Sequence, residues 1–555
     1  MNKRLYIQTL ALGLFVWSVR LDAALAQTPP PPPLSAVSNQ TFKRQAQPDM
    51  KQPVTSRQPL TRAVPLSATA PSPWQRLTRQ PTFFAGAMLL LTDGTVMVHD
   101  QGSKNNGSSN WWRLTPDVNG SYLNGKWSKL ASLPSGYAPL YFASAILPDG
   151  RVIIEGGNYN NGQQVFTNLG AIYDPLANKW APVSPPDRKG WEKIGAAAST
   201  VLANGTFMIG GISTIEQVLF NPTDLSWTVT GKGKADINAK ENWTLLPNGR
   251  VLTVDTNNLQ YLTNSELYLP ELIRKSCSKC TSGRWICGGS TIVLLPDTNK
   301  DGSGTHEMGP QLLRPDGTVF AAGATGHTAV YDSLEGTWKP APDFPNPNGT
   351  STGQYSAGDS PAALLPSGNV LVMASPGVGN QPPAHFFVFD GTNLKQIIPD
   401  PRNAVNLSAY YGYMIVLPTG QVMFNSRFGD IELYTDSGAI ADGTAPTITT
   451  VPTTLVTGMS YPLTGKQLNG VSQAAAYGEG YQSATNYPLV RIVIAKTKHV
   501  FYARTFGHSS MGVTPGAVSS TNFTVPAGIE TGAATLFAVA NGIASNPISV
   551  TVAKK

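Results

Sequence analysis

A chain of 555 residues exceeds one ordinary domain and is long enough for two well-buried ones. Its net charge of +7 is modest, and no basic run is interleaved with aromatics, which argues against a nucleic-acid partner. The 54 glycines and 45 prolines suit short strands and tight turns rather than long helices, so the chain is expected to be all-β.

Residues 1–26 read as an export signal. Lys3 and Arg4 open the chain, Leu5 to Val19 is largely apolar, and Ala24-Leu25-Ala26 offers the small residues that a signal peptidase needs. The apolar run is shorter than a membrane span and Arg20 breaks it, so no integral membrane anchor is expected. The mature protein is expected to be secreted or periplasmic. Sequons at Asn106, Asn204 and Asn348 matter only in a host that glycosylates. Residues 27–73 are rich in Pro, Gln, Ser and Thr, including Pro29 to Pro33, and read as a disordered or polyproline spacer.

From residue 74 to 443 the chain repeats itself. An apolar strand, a Gly turn and a second apolar strand recur, with turns at Thr92-Asp93-Gly94, Pro148-Asp149-Gly150, Ala203-Asn204-Gly205 and Pro247-Asn248-Gly249. The turn returns at Pro315-Asp316-Gly317, Pro366-Ser367-Gly368 and Pro418-Thr419-Gly420. Asp-Gly and Asn-Gly are hairpin-turn chemistry, because glycine accepts the positive φ. Gly156-Gly157 and Gly210-Gly211 close second strands, and Tyr173 with Trp180 and Tyr331 with Trp338 mark outer strands. Seven such units, each burying its apolar face against its neighbours, predict a seven-bladed kelch-type β-propeller. Residues 444–555 alternate in short strands and predict an immunoglobulin-like β-sandwich.

Two smaller motifs leave alternatives open. Cys277, Cys280 and Cys287 allow one local disulfide and one further thiol. Asp297, Asn299 and Asp301 alternate as calcium ligands would, but Met308 stands where the bidentate Glu belongs, so a plain polar turn competes with a calcium loop.

The order of propeller then sandwich resembles the galactose oxidase and glyoxal oxidase group, whose C-terminal domain is of the early-set immunoglobulin-like type. The resemblance covers nearly everything after the spacer. It implies a copper ion held by two tyrosines and two histidines, with one tyrosine crosslinked to a cysteine, and oxidation of an alcohol or aldehyde to yield hydrogen peroxide. Tyr141, before Phe142-Ala143-Ser144-Ala145, falls at the crosslinked tyrosine, and Tyr159 at the ring stacked over it. In Ser408-Ala409-Tyr410-Tyr411-Gly412, Tyr410 matches the axial tyrosine and Tyr411 holds the histidine position. His508, in Arg504-Thr505-Phe506-Gly507-His508-Ser509, matches the second histidine on a hairpin expected to climb the propeller axis. The crosslinking cysteine has no counterpart near Phe84-Ala85-Gly86.

The residues ahead of each Gly turn are expected to crowd one mouth of the channel. They include Phe83, Phe84, Lys240 to Trp243, His306, Glu307, Tyr355 and Asp359. Aromatics, acids and amides at one mouth suit a carbohydrate, a polyol or a small alcohol or aldehyde. Three readings follow: a binding protein for glycans or polyols with an incomplete copper site, an active copper oxidase, or a structural or adhesive surface protein.

Overall fold

The computed structural model describes residues 72–103, 106–270, 283–346, 354–377, 381–402, 404–426, 430–474, 476–477, 481–482 and 486–555. The export signal, the spacer up to residue 71, Cys277, Cys280 and Asn348 lie outside the described residues.

Seven antiparallel blade sheets follow one another along the chain, six of four strands and one, in the sixth blade, of five. In the second, Ala143–Ile146 is innermost, followed outward by Val152–Glu155, Gly170–Asp174 and Lys179–Val183. The other innermost strands are Ala85–Leu90, Ser199–Val201, Thr244–Leu245, Gln311–Leu313, Ala362–Leu364 and Tyr413–Val416. They are short and buried at every residue, as strands covered on both faces must be. Tyr413–Val416 lies beside Ala85–Leu90, which brings the last sheet back to the first. The architecture is a seven-bladed β-propeller. Its seventh blade takes its outer strand from the start of the fold: Trp74–Arg76 pairs with Ile431–Tyr434 in the register Trp74 to Tyr434.

All seven predicted turns have one geometry. Gly94, Gly150, Gly205, Gly249, Gly317, Gly368 and Gly420 sit at φ between +75° and +87°, where a side chain would be strained. Each donates its N–H to the carbonyl three residues before it, at 2.8–3.0 Å. At five turns the Asp or Asn just before the glycine accepts the N–H two residues on, from Thr95, Arg151, Thr206, Arg250 and Thr318. This explains why Asp-Gly and Asn-Gly mark the repeat.

Neighbouring blades are tied by tryptophans on the outer strands. Tyr173 and Trp180, Phe220 and Trp227, Tyr268 and Trp285, and Tyr331 and Trp338 are cross-strand pairs with ring centroids 4.8–5.4 Å apart. Each indole N–H reaches the preceding blade, donating to Ala131 O, Ser184 O, Gln217 Oε1 and Ser265 Oγ. One residue thus supplies apolar area and a directional lock.

Residues 444–555 form two sheets that share one strand. In Val500–Phe506, the first half pairs with Leu489–Ile494 and the second half with Val518–Thr524. Leu455, Leu463, Phe523, Leu536 and Val550 fill their own core.

Blade four is built around a buried cation. Lys234 Nζ lies 2.8 Å from Glu241 Oε1 and 3.5 Å from Asp255 Oδ1, contacts Glu266 Oε2, and stands 5.3 Å from the Trp285 ring centroid. Among the described residues, Asp236, Glu241 and Asp255 are the acids that converge as metal ligands do, and the ammonium serves this carboxylate nest as counter-ion. One cation among four buried acids leaves excess negative charge. Burial raises the Asp236 carboxyl from 3.8 to about 6 and holds Glu241 well above the carboxylate range.

Two outcomes follow. Lys234→Met strands the carboxylates and should cost about 3–5 kcal/mol, read as a lower urea midpoint, whereas an unchanged midpoint would remove the cluster from the account. A carboxyl whose folded pKa is raised stabilises fully below its unfolded value and loses that contribution as pH rises through about 6. Between pH 4 and pH 7, Asp236→Asn should therefore gain stability relative to the parent by on the order of 1–3 kcal/mol. A pH-independent gap between the two proteins would contradict this.

Candidate functional site

The inner strands all run in one direction, from one mouth of the channel to the Gly turns at the other. The sandwich docks on the turns. Arg504 Nη2 donates to Asp149 O at 2.7 Å, Thr505 N to Thr92 O at 3.1 Å, and Met511 N to Ala203 O at 2.9 Å. The start mouth is therefore the end away from these contacts, and the segments that carry Tyr141, Tyr410 and Tyr411 lead into strands that begin there.

One residue per blade stands nine positions before the turn glycine: Ala85, Tyr141, Ala196, Lys240, Met308, Asp359 and Tyr411. Three of them, Tyr141, Lys240 and Asp359, are in the left-handed region at φ +56°, +60° and +52°. This costs a non-glycine residue roughly 1 kcal/mol or more, and such strain collects at functional sites. Phe142, Glu241 and Ser360 directly follow these three and are fully buried, so each strand leaves its bend straight into the core.

Tyr141 packs with Leu140 and Ala196, and Tyr159 meets its ring edge-on with centroids 6.1 Å apart. Asn158 fixes this corner by donating its N–H to the carbonyls of Leu140 and Tyr141 and accepting the Ala196 N–H at 2.9 Å. The Gly156-Gly157 pair permits the approach, since a Cβ on Gly156 would lie 2.2 Å from Gly195 O. In blade seven, Ala409–Tyr411 is a short 3-10 turn anchored by Ala409 N donating to Ser375 Oγ, and the Tyr410 and Tyr411 rings are 4.0 Å apart. Both rings are half-buried.

At the blade-one position stands Ala85. The buried Gln101 side chain packs against Gly86 and donates from Nε2 to Ala85 O at 3.2 Å, so an amide occupies the neighbourhood where the resemblance calls for sulfur. Cys287 is an exposed free thiol on Arg284–Ser290, the outer strand of blade four.

His508 is at the other end. Its N–H donates to Pro148 O at 3.1 Å, in the turn that closes the strand begun near Tyr141, about 20 Å away at strand rise. Its Nδ1 lies 2.9 Å from Thr521 Oγ1, its ring stacks on Tyr487, and Nε2 is buried without a partner. Burial and Arg504 hold its pKa down to about 3, so the imidazole is neutral. The expectation that Arg504–Ser509 climbs the axis is corrected here. The segment of the C-terminal domain that lies against the inner strands is the strand pair Ala476–Tyr477 and Tyr481–Gln482, touching blades one, two, three and seven. Its sequence signal is the glycine-rich Tyr477-Gly478-Glu479-Gly480-Tyr481.

The loop from Asp297 to Ser303 is a turn that satisfies itself. Asp297 Oδ2 accepts the Thr305 N–H and hydroxyl, Asp301 Oδ1 accepts those of Ser303, and Asn299 Nδ2 donates to Ser303 Oγ. One oxygen of each carboxylate accepts from the loop's own donors, which fits the polar-turn alternative. His306 is enclosed by this loop, with Nδ1 near Thr256 O and Thr298 Oγ1 and Nε2 near Gly302 O.

Glu307, the next residue, reaches the mouth. Its Oε1 is ion-paired with Lys240, while Oε2 is buried and has no hydrogen-bond partner in the chain. Asp359 N donates to Met308 O at 3.0 Å, which links blade six to blade five beside this pair. The mouth thus has an aromatic half on blades two and seven and a charged half on blades four to six. The donors at the aromatic half are phenols, and with Ala85, Tyr411 and the distant His508 they do not make up the five-group copper centre of the resemblance.

No model of a known protein family matches the chain, and no curated protein matches it in sequence. Solved structures similar to it include a fungal alcohol oxidase of the AA5 family in complex with copper, at 13% identity and a TM-score of 0.45, covering 87% of this chain and 98% of that one. A structure of YjhT covers 58% of this chain and 99% of its own at 12% identity and a TM-score of 0.38. Virginiamycin B lyase from Staphylococcus aureus covers 65% and 97% at 10% identity and a TM-score of 0.41. Likenesses at this level carry no chemistry across to this chain.

Proposed function

We propose that this chain is an exported propeller protein that binds a carbohydrate or small polyol at the mouth away from the sandwich. The observation that carries the reading is the aromatic half of that mouth, where the Tyr410–Tyr411 ring pair and the Tyr141–Tyr159 pair flank blade one. Sugar rings present apolar C–H faces that stack on such phenols, and the phenol hydroxyls bond to sugar hydroxyls. The left-handed backbone at Tyr141 supports a functional rather than a purely packing role, since a packing tyrosine needs no such strain. Export rests on the leader-like residues 1–26.

Oxidation of an alcohol or aldehyde is the competing activity of the resemblance, and copper is its cofactor. It lacks support in the donor set: among the described residues the cysteine is Cys287, exposed on the outer strand of blade four, and His508 is held by Thr521 at the opposite end. No step through copper is derived.

Glycan-array screening of the mature protein, followed by calorimetry, tests the proposal. Tyr410→Ala and Tyr411→Ala should each weaken sugar binding at least tenfold. After copper loading, electron paramagnetic resonance and a peroxide assay over alcohols and aldehydes should give neither stoichiometric copper nor peroxide. Binding to no sugar would overturn the reading in favour of a structural or adhesive role. Peroxide release with bound copper would overturn it in favour of the oxidase.

A further inference from the structure

Glu155 ends the second strand of blade two, Val152–Glu155, where it stands between Ala143 on the innermost strand and Gly170 on the third. It is fully buried, and neither carboxyl oxygen has a hydrogen-bond partner among the described residues. A Cβ on Gly170 would lie 2.1–2.2 Å from those oxygens, so glycine on the third strand is what leaves the side chain its space. Among the described residues no cation is paired with it. Ala143–Ile146 carries no ionisable group, and on Gly170–Asp174 the ionisable residues are Tyr173 and Asp174, in register with Val152 and Lys179 at the far end. Glu192 and Lys193, on the segment that brings Gly195 against Gly156, are exposed. The group that faces Glu155 is Tyr137, also buried, whose hydroxyl donates to Gly156 O at 2.9 Å. Burial without a counter-charge disfavours the carboxylate and holds the Glu155 pKa well above the usual carboxylate range.

The strand end that carries this acid runs straight into the corner beneath the aromatic half of the mouth. Gly156 and Gly157, at φ +77° and +132°, turn the chain, and Asn158 then holds the carbonyls of Leu140 and Tyr141. Gly156 N donates to Leu169 O at 2.8 Å, the residue before Gly170, so the acid and the corner share one seat. We propose that Glu155 is a proton-dependent latch under the Tyr141–Tyr159 corner, closed while the acid is neutral and released as it ionises; its effect on the mouth rests on the sugar-binding reading above. Opening carries the side chain to water, where it gives its proton to solvent above an ordinary pKa of about 4.3. A carboxyl whose folded pKa is raised stabilises the closed corner fully below that ordinary value and loses the contribution as pH rises toward the folded value. Across that window each pH unit shifts the balance toward the open corner by about tenfold. Tyr137 stays neutral throughout, since burial raises its pKa far above the ordinary phenol value. Sugar binds the closed corner, so affinity falls once the open form is a sizeable fraction.

Native-state hydrogen exchange of the mature full-length protein between pH 5 and pH 8, corrected for intrinsic exchange and read at amides that open locally, tests the latch. In the parent, opening of residues 152–170 should rise about tenfold per pH unit. Glu155→Gln and Glu155→Met cannot ionise, and whichever thermal unfolding shows to be folded should open to the same extent at every pH. If neither folds, the parent's own slope decides. Calorimetry with a neutral hexose oligomer should find the parent at least twofold weaker at pH 8 than at pH 5, and the folded variant changed less. Opening in the parent that ignores pH, or an equal slope in the variants, refutes the latch whatever the sugar does. A sloping parent whose sugar affinity is the same at both pH values refutes the coupling to the mouth. A sloping parent with flat variants and no sugar bound at any pH keeps the latch, and the binding reading falls alone.

Discussion

The direction of the inner strands is the constraint from which the rest follows. Each blade's innermost strand begins at one mouth and ends at a Gly turn whose positive φ no other residue adopts without strain. Seven repeats of that turn commit one end of the channel to hairpins, and residues 444–555 dock on those of blades one to four. The residues that lead into the strands are left at the other end. There the chain need only reach the next strand, and side chains of any chemistry are tolerated. Turn stereochemistry thus leaves one mouth open for the proposed site before any site residue is chosen.

Much of this was legible because it is local. A turn glycine preceded by Asp or Asn reports its own conformation, and the Tyr173–Trp180 and Tyr331–Trp338 pairs report strand register. The positions of Tyr141, Tyr410 and Tyr411 were equally readable, since distance from the turn glycine fixes height along the channel. What failed was long-range. His508 was expected on the axis from the local pattern around it, yet which stretch of the second domain reaches the channel depends on how that domain docks, and Ala476–Gln482 took that role. The strand that completes blade seven comes from Trp74–Arg76, more than 350 residues away from its partner, and no local signal announces it. The Lys234 nest was invisible for the same reason: its acids lie on different strands and loops of blade four, each ordinary in its own neighbourhood.

The contrast between the two halves of the mouth organises the chemistry. The aromatic half presents phenols, and it holds Ala85 and Tyr411 where the resemblance calls for sulfur and imidazole. The other half spends backbone strain and a buried, half-satisfied carboxylate on polar groups that no packing argument requires. Strain and an unmet acceptor in one place are what a ligand site leaves behind when it is built before its ligand arrives.

Hydrogen exchange of the mature protein with and without a saturating neutral oligosaccharide tests the central claim most directly. The account predicts protection confined to the segments leading into the inner strands, around residues 139–142, 238–243, 305–309, 357–360 and 408–412. Protection at the Gly turns or across the sandwich, with those segments unchanged, would contradict it.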